Sequence, residues 1–368
     1  MNKKNIAIVS LLKPLHDPRH YERFALSLAK TNKYEINIIA NGEKKPDAAN
    51  ISFHTIGSHK RKHLPRLTLH WKAYKLITKI KPDLLIICTV ELIPFAIIYS
   101  IISKVKIIYD IQENYRLNFR YLTEYNWFHK YFLSYLISVL EKVSVLFFDH
   151  YFLAEKCYQT QLNFFKSNYT ILENKTAIST PEKPNFFLNK RPLHFLFSGT
   201  ISSYSGIAFI LQFIEAIAVK KDGYQMTIIG QVHNNKICQQ LDQIEDPHIH
   251  LKVSKYPIPH DQIIQEIRKA DIGLITYSES VVNAEKVPTK LYEYAALGLP
   301  YLVEKNSYWY EVGQEVGGAI PFDFHNPTPE FIKNIDHAIT NAFKNNNQER
   351  ALWSTEEDKL LKSIDTLL

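Results

Sequence analysis

The sequence predicts an α/β protein of two domains, and three observations carry that prediction. Strand-length apolar runs alternate with helix-period segments through both halves of the chain. Its 368 residues exceed the usual size of one domain, and 46% hydrophobic against 22% charged residues suffice for two cores. Between Thr176 and Arg191 the periodicity fades; Pro181 and Pro184 lie inside this stretch, and Pro192 follows it. The expected division is a first domain over 1–175, a linker over 176–191, a second domain over 192–350 and a terminal segment over 351–368. The last is helical by its periodic Leu360, Leu361 and Ile364.

The first domain opens with a strand at Asn5–Ser10, the loop L-L-K-P-L-H-D-P-R-H, and a helix from about Tyr21 to Lys30 that turns Phe24 and Leu28 inward. Asp17 is suited to capping that helix. Tyr34–Ala40 is the next strand. The basic cluster His59–Arg66 precedes a helix containing Leu69, Trp71, Tyr74 and Leu76. Leu84–Cys88 reads as a buried strand leading into a buried helix, because Glu91 and Pro94 interrupt the run before it reaches spanning length. Val105–Tyr109 is a strand ending in D-I-Q-E-N-Y. Asn126–His150 is an aromatic-rich helix, read mostly as core and in part as a membrane or partner face, before a strand near His150–Leu153. Tyr169–Asn174 closes the domain. In the second domain, strands at Leu193–Thr200, Gln225–Gly230, His250–Val253 and Ala270–Thr276 alternate with helices at about Gly206–Lys220 and Asp261–Lys269.

The stretch with the most chemistry is Glu285–Pro300, E-K-V-P-T-K-L-Y-E-Y-A-A-L-G-L-P. Pro288 suits a first helical turn, where its missing N–H is not needed, and Gly298 with Pro300 ends the helix. The preceding strand places this helix start at a strand's carboxyl end, where open α/β sheets bind ligands. Free N–H groups there favour an anion, and Lys290 adds a cation in the first turn. Glu285 before the helix and Glu293 one turn on could accept from sugar hydroxyls. The alternative is a solvated Glu285 and an ordinary i,i+3 pair of Lys290 with Glu293.

This segment resembles the E-x(7)-E segment of family 4 glycosyltransferases, with P-T-K-L-Y-E-Y-A-A-L-G-L-P following that family's P-x-K-(hydrophobic)-(F/Y)-E-Y pattern. The resemblance implies the GT-B fold, two Rossmann-like domains facing across a cleft, and a terminal helix packing back on the first domain. It implies that Glu293 holds the nucleotide ribose, that Glu285 lies near the donor sugar, and that Lys290 and the helix start at Pro288 and Thr289 serve the diphosphate. By the same resemblance the turn after Leu193–Thr200 serves the phosphates. Here that turn is T-I-S-S-Y-S-G without a cation, leaving Gly199 and the hydroxyls of Thr200, Ser202 and Ser203. The loop from Tyr256 to Pro259 would border the base. Asp17 and Arg19, in a string similar to the family's first loop, are candidate contacts to acceptor or donor; the alternative for both is capping and solvating the helix. Asp110 and Glu113 are candidate cleft residues. Gln112 stands where the family commonly has His, keeping hydrogen bonding without titration.

The activity so implied is retaining, metal-independent transfer of a sugar from a nucleotide-sugar donor to a saccharide or lipid-linked acceptor, in cell-surface polysaccharide or glycoconjugate synthesis. No cofactor beyond the donor is expected. Two other readings are a GT-B-like sugar-nucleotide epimerase and a non-catalytic scaffold. No D-x-D pair, H-E-x-x-H, P-loop, G-x-G-x-x-G or G-x-S-x-G occurs. Residues 1–185 hold 27 Lys and Arg against 15 Asp and Glu; residues 186–368 hold 17 against 22. A basic first half without a nucleic-acid motif points to an anionic membrane surface or lipid-phosphate acceptor rather than nucleic acid. Three scattered cysteines and a short N-terminal apolar run lead to the expectation of a cytoplasmic protein, peripheral at the inner membrane face.

Overall fold

The structure, a computed structural model, describes residues 3–42, 49–57, 66–123, 126–182, 184, 192–218, 224–277, 280, 282–305, 307–328, 331, 334–345 and 347–368. Most of the basic cluster at His59–Arg66 and half of the 176–191 stretch lie outside the described residues. The chain divides into two units, Met1–Ala177 with Glu356–Leu368, and Ile178–Thr355.

Unit 1 contains strands β1 (Lys4–Pro14), β2 (Tyr34–Asn41), β3 (Ile51–Gly57), β4 (Leu84–Ile87), β5 (Lys106–Ile111), β6 (His150–Leu153) and β7 (Tyr169–Ile171). They form one sheet in the order β3-β2-β1-β4-β5-β6-β7, with parallel pairing throughout. Unit 2 contains β8 (Leu193–Ile201), β9 (Tyr224–Val232), β10 (Ile249–Ser254), β11 (Ile272–Ile275), β12 (Tyr301–Glu304) and β13 (Ala319–Phe322), in the order β10-β9-β8-β11-β12-β13, again parallel. Both are doubly wound Rossmann-like sheets, with the order reversing at β1/β4 and at β8/β11. Central strands covered on both faces must be apolar along their length, and β4 (Leu-Leu-Ile-Ile) is buried at every position.

The expected strands are present, with ends that coincide or shift by up to four residues. The sequence reading passed over β3, whose run I-S-F-H-T-I-G mixes polar and apolar residues, and the four-residue β13. The first helix differs in kind. It begins at Pro18 as a π-helical turn through Ala25 before becoming an α-helix at Leu26–Lys30. No helix among the described residues is long and apolar enough to cross a membrane. The helix after β4 is less buried than expected, because Ile98, Ile101 and Ile102 are exposed. The aromatic helix, Trp127–Ser144, corrects the core reading more sharply: Trp127, Phe128, Phe132 and Tyr135 all face solvent.

The terminal helix, Ser354–Leu367, buries Leu360 and Ile364, and its residues from Glu356 onward belong to unit 1. Asp365 pairs with Lys33 and accepts from the Tyr34 hydroxyl, Glu357 pairs with Lys30, and Glu356 pairs with Lys175 at 2.8 Å. In unit 2 the carboxyl ends of β8, β9 and β11 come together with almost no spare volume. A Cβ on Gly230 would lie 1.7 Å from the Gly199 carbonyl oxygen, and one on Gly206, at φ +80°, 1.6 Å from that of Thr276. Overpacking and the left-handed backbone both oppose a side chain at Gly206, so Gly206→Ala is expected to cost at least ~2 kcal/mol. A melting temperature within error of wild type would remove this account of the turn.

Candidate functional site

The helix at the centre of unit 2 spans Thr289–Ala296, and all of Lys290–Ala296 is buried. Pro288 stands one position earlier than a first-turn proline, in extended backbone as the N-cap, and no side chain caps the start. At the other end Gly298 adopts φ +69°. Its N–H bonds the Ala295 carbonyl, and the Leu299 N–H bonds that of Tyr294, a Schellman motif. Gln348 Nε2 donates to the Ala295 carbonyl at 2.7 Å and the Glu182 N–H to that of Ala296, so the buried helix end has partners. The helix is keyed to the sheet through Tyr294, whose hydroxyl lies 2.8 Å from Ser198 Oγ and whose ring packs where a side chain on Gly273 would be.

This anchoring brings Lys290 to the carboxyl edge of the sheet, at the reversal between β8 and β11. Its Nζ lies over the rings of Phe197 and Tyr277, 4.4 and 5.0 Å from their centroids. The position a Cβ of Gly199 would occupy is 3.9 Å from Lys290 Cε. Gly199 has φ +103° and no side chain, which leaves space beside the ammonium. Lys290 Nζ is buried and has no hydrogen-bond partner among the described residues. Burial pushes its pKa down to about 7, against the attraction of Glu293.

Glu293 is also buried, and one of its oxygens lies 2.9 Å from His260 Nε2, at the start of the helix His260–Lys269. So the structure brings Lys290, Glu293 and Gly199 to one place. It places Thr289 exposed at the helix start and Glu285 exposed on the preceding turn. That turn is held by Trp309, whose indole N–H donates to the Lys286 carbonyl at 2.6 Å. Ser202 spends its polar groups locally: its N–H donates to Ser205 Oγ, and its Oγ accepts from the Ser205 N–H. Thr200 and Ser203 are exposed, as is Tyr256. The sequence reading missed Phe197, Tyr277 and His260. The first two lay within or just after recognised strands, and His260 directly follows the Tyr256–Pro259 loop.

In unit 1 the corresponding sheet edge is closed by a buried ion pair. Asp17 caps the first helix, accepting from the Arg19 and His20 N–H groups. Arg19 donates to both Asp110 oxygens at 2.7–3.1 Å and to the Leu172 carbonyl and Asn174 Oδ1 at 2.8 Å. Gln112 Nε2 donates to Asp110 and lies 2.6 Å from His20 Nε2. His20 is fully buried, and burial lowers its pKa despite Asp17 nearby. His20, Cys88 and Asp110 present ligand atoms within 4.8 Å of one another, but the guanidinium already occupies the position from which a cation would balance Asp110.

Lys290 has a stability signature. Its folded-state value of about 7 lies below the ordinary 10.5, so between these values the unfolded chain holds a proton that the folded one has released. The stability of the ligand-free protein therefore rises with pH across that window, and the full penalty of the charge is felt below it. Lys290→Met is expected to raise the melting temperature more at about pH 6 than at about pH 10. An equal effect at both, or destabilisation at the lower pH, would show that the lysine is not an unpaired buried cation.

No family model matches the chain, and no curated protein matches it. Solved structures do. Sucrose-phosphate synthase from Thermosynechococcus elongatus is similar at 11% identity with a TM-score of 0.71, over 99% of this chain and 99% of that one. HepE of Anabaena, in complex with UDP-glucose, is similar at 12% identity with a TM-score of 0.62, over 99% of this chain and 100% of that one. A protein from Listeria monocytogenes described as a UDP-N-acetylglucosamine 2-epimerase is 14% identical with a TM-score of 0.61, over 99% and 96%. At such identities the likeness concerns the fold, and it spans the whole chain: two Rossmann-like domains of the GT-B type.

Proposed function

We propose that this chain is a glycosyltransferase that takes its sugar from a nucleotide-sugar donor bound at the carboxyl edge of the unit 2 sheet. The observation that carries the reading is Lys290, a buried amine with no hydrogen-bond partner among the described residues, in the first turn of an uncapped helix. A diphosphate supplies what that ammonium lacks, and the helix N–H groups favour the same charge. Similar structures solved with UDP-glucose and with UDP and glucose support this class of donor.

In the reaction the leaving diphosphate gains negative charge as the glycosidic bond to the sugar breaks. Lys290, protonated once an anion is beside it, and the fixed N–H dipoles stabilise that charge without reorganisation. Glu293, steadied by His260, accepts from ribose hydroxyls. Glu285 orients the sugar and favours positive charge developing at its anomeric carbon. The acceptor is a saccharide or lipid-linked saccharide, and the reaction is retaining and metal-independent. In unit 1 the Arg19–Asp110 pair holds the first loop and the Asp110 strand end in place for the acceptor, rather than Arg19 offering its own donors.

A melting-temperature panel of UDP, GDP, CDP and ADP, with and without Mg2+, tests the donor site. At 100 times its Kd a ligand specific to the folded state adds about 2.7 kcal/mol. One nucleotide is expected to shift the transition regardless of Mg2+. Glu293→Ala should weaken its binding by roughly 10–100-fold, the loss of a charged hydrogen bond. Glu285→Ala should instead lower turnover with donor affinity kept. No shift with any nucleotide or intact sugar nucleotide would overturn the donor site. An epimerised donor released without an acceptor would assign the same site to an epimerase.

A further inference from the structure

The helix Trp127–Ser144 has its amphipathic pattern turned outward. At about 100° per residue, Trp127, Tyr131, Tyr135, Phe128, Phe132 and Leu136 fall in sequence across one half of the cylinder. All six are exposed, Trp127 at 74% and Tyr135 at 70%. The opposite face buries Ser134, Glu141 and Ser144 alongside Ile137. Folding alone would place the aromatic half inside, since each aromatic side chain gains about 1.5–3 kcal/mol by full burial. Helix propensity gives no reason for aromatic residues on a solvated face.

Beside this face lies a pocket of about 630 Å³ between the helices Tyr115–Tyr121 and Trp127–Ser144, whose charged lining is Arg116, Arg120 and Lys142. Arg120 stacks its guanidinium on Tyr131 at 4.9 Å, and its buried Nε has no hydrogen-bond partner among the described residues. Among the described residues no acid lines the pocket. Glu141 is the one acidic residue of these two helices; it is buried, and burial pushes its carboxyl up to about 8, so it does not offset the cations at neutral pH.

We propose that this surface docks the protein on an anionic phospholipid bilayer, with lipid phosphates in the Arg116–Arg120–Lys142 pocket and the aromatic half of the helix in the headgroup–acyl boundary. Charge complementarity selects the occupant. An isologous contact with a second copy would bring two uncompensated basic pockets together, whereas an anionic bilayer offers phosphate and apolar depth side by side. Trp and Tyr, with apolar bodies and polar edges, are the residues suited to that boundary. The helix lies on the surface rather than spanning it, since its inner face is packed against unit 1. This inference does not depend on the donor site.

Flotation of the full chain with vesicles tests it. The protein is expected to float with phosphatidylcholine vesicles containing about 30% phosphatidylglycerol and to bind pure phosphatidylcholine at least ~10-fold more weakly, as several lysines and arginines near an anionic surface require. Trp127→Ser with Phe132→Ser should lower binding at least ~10-fold by loss of buried apolar area. Lys142→Glu should do the same through charge. All three positions are exposed, so the variants should melt with wild type, and a circular dichroism melt establishes that they are folded. Four results would overturn the proposal: folded wild type that stays with the dense fraction, equal flotation with both vesicle types, variants that float as wild type does, or a solution dimer that Trp127→Ser dissociates.

Discussion

A lysine amine buried over two aromatic rings, with no oxygen to bond among the described residues, is costly to hold in its charged form, and unit 2 is arranged around holding it. The helix that carries Lys290 is immobilised at its far end by Gln348, by the Glu182 N–H and by the Schellman turn at Gly298. Tyr294 pins its underside to Ser198. Glycines at 199, 206 and 230 let the strand ends close to contact distance around the space that the lysine borders. None of these contacts relieves the charge. They fix its position, so that an arriving anion meets an amine already desolvated and aimed, and favours its charged form. The cation–π contacts with Phe197 and Tyr277 soften the penalty without satisfying the N–H groups, which leaves them for a ligand.

The two sheets share a topology and use its reversal point differently. In unit 1 the arginine at the carboxyl edge is spent on the protein itself: both oxygens of Asp110, a main-chain carbonyl and Asn174 take its donors. A buried, bidentate pair of that kind contributes specificity of position more than net stability. In unit 2 the cation at the equivalent edge has no such partner. One edge is closed and the other is poised, which is a distinction of side chains and not of fold.

How much of this could be read in advance follows from how far apart the determinants lie in the chain. The segment Glu285–Pro300 was legible because its signals are local: a proline before the first turn, a glycine and proline after the last, and Lys290 and Glu293 one turn apart. The depth of Lys290 was not, because its walls come from Phe197 within one strand and Tyr277 just beyond another. Nor was the engagement of Glu293, since His260 sits 33 residues away. Arg19 read as a loop cation because nothing local announces Asp110, 91 residues on. The aromatic helix shows a different limit. Periodicity reports that a helix has an apolar side, but not whether the molecule covers that side, so a run rich in Trp, Phe and Tyr read mostly as core and only in part as a membrane or partner face. The strands were found because a parallel sheet demands continuous apolar runs, and β3 was missed because its mixed run breaks that pattern.

The return of Glu356–Leu368 to unit 1 bears on the order in which the molecule can be made. The residues that cover Tyr34, pair with Lys30, Lys33 and Lys175, and bury Leu360 and Ile364 are synthesised after the whole of unit 2. Unit 2 is complete while unit 1 still lacks its closing helix. At ordinary elongation rates of ~5–20 residues per second, the whole of Ile178–Thr355 takes roughly 10–40 s to emerge. For that interval the nascent first sheet carries an open seam. The half that appears first thus matures only after the second unit has been made.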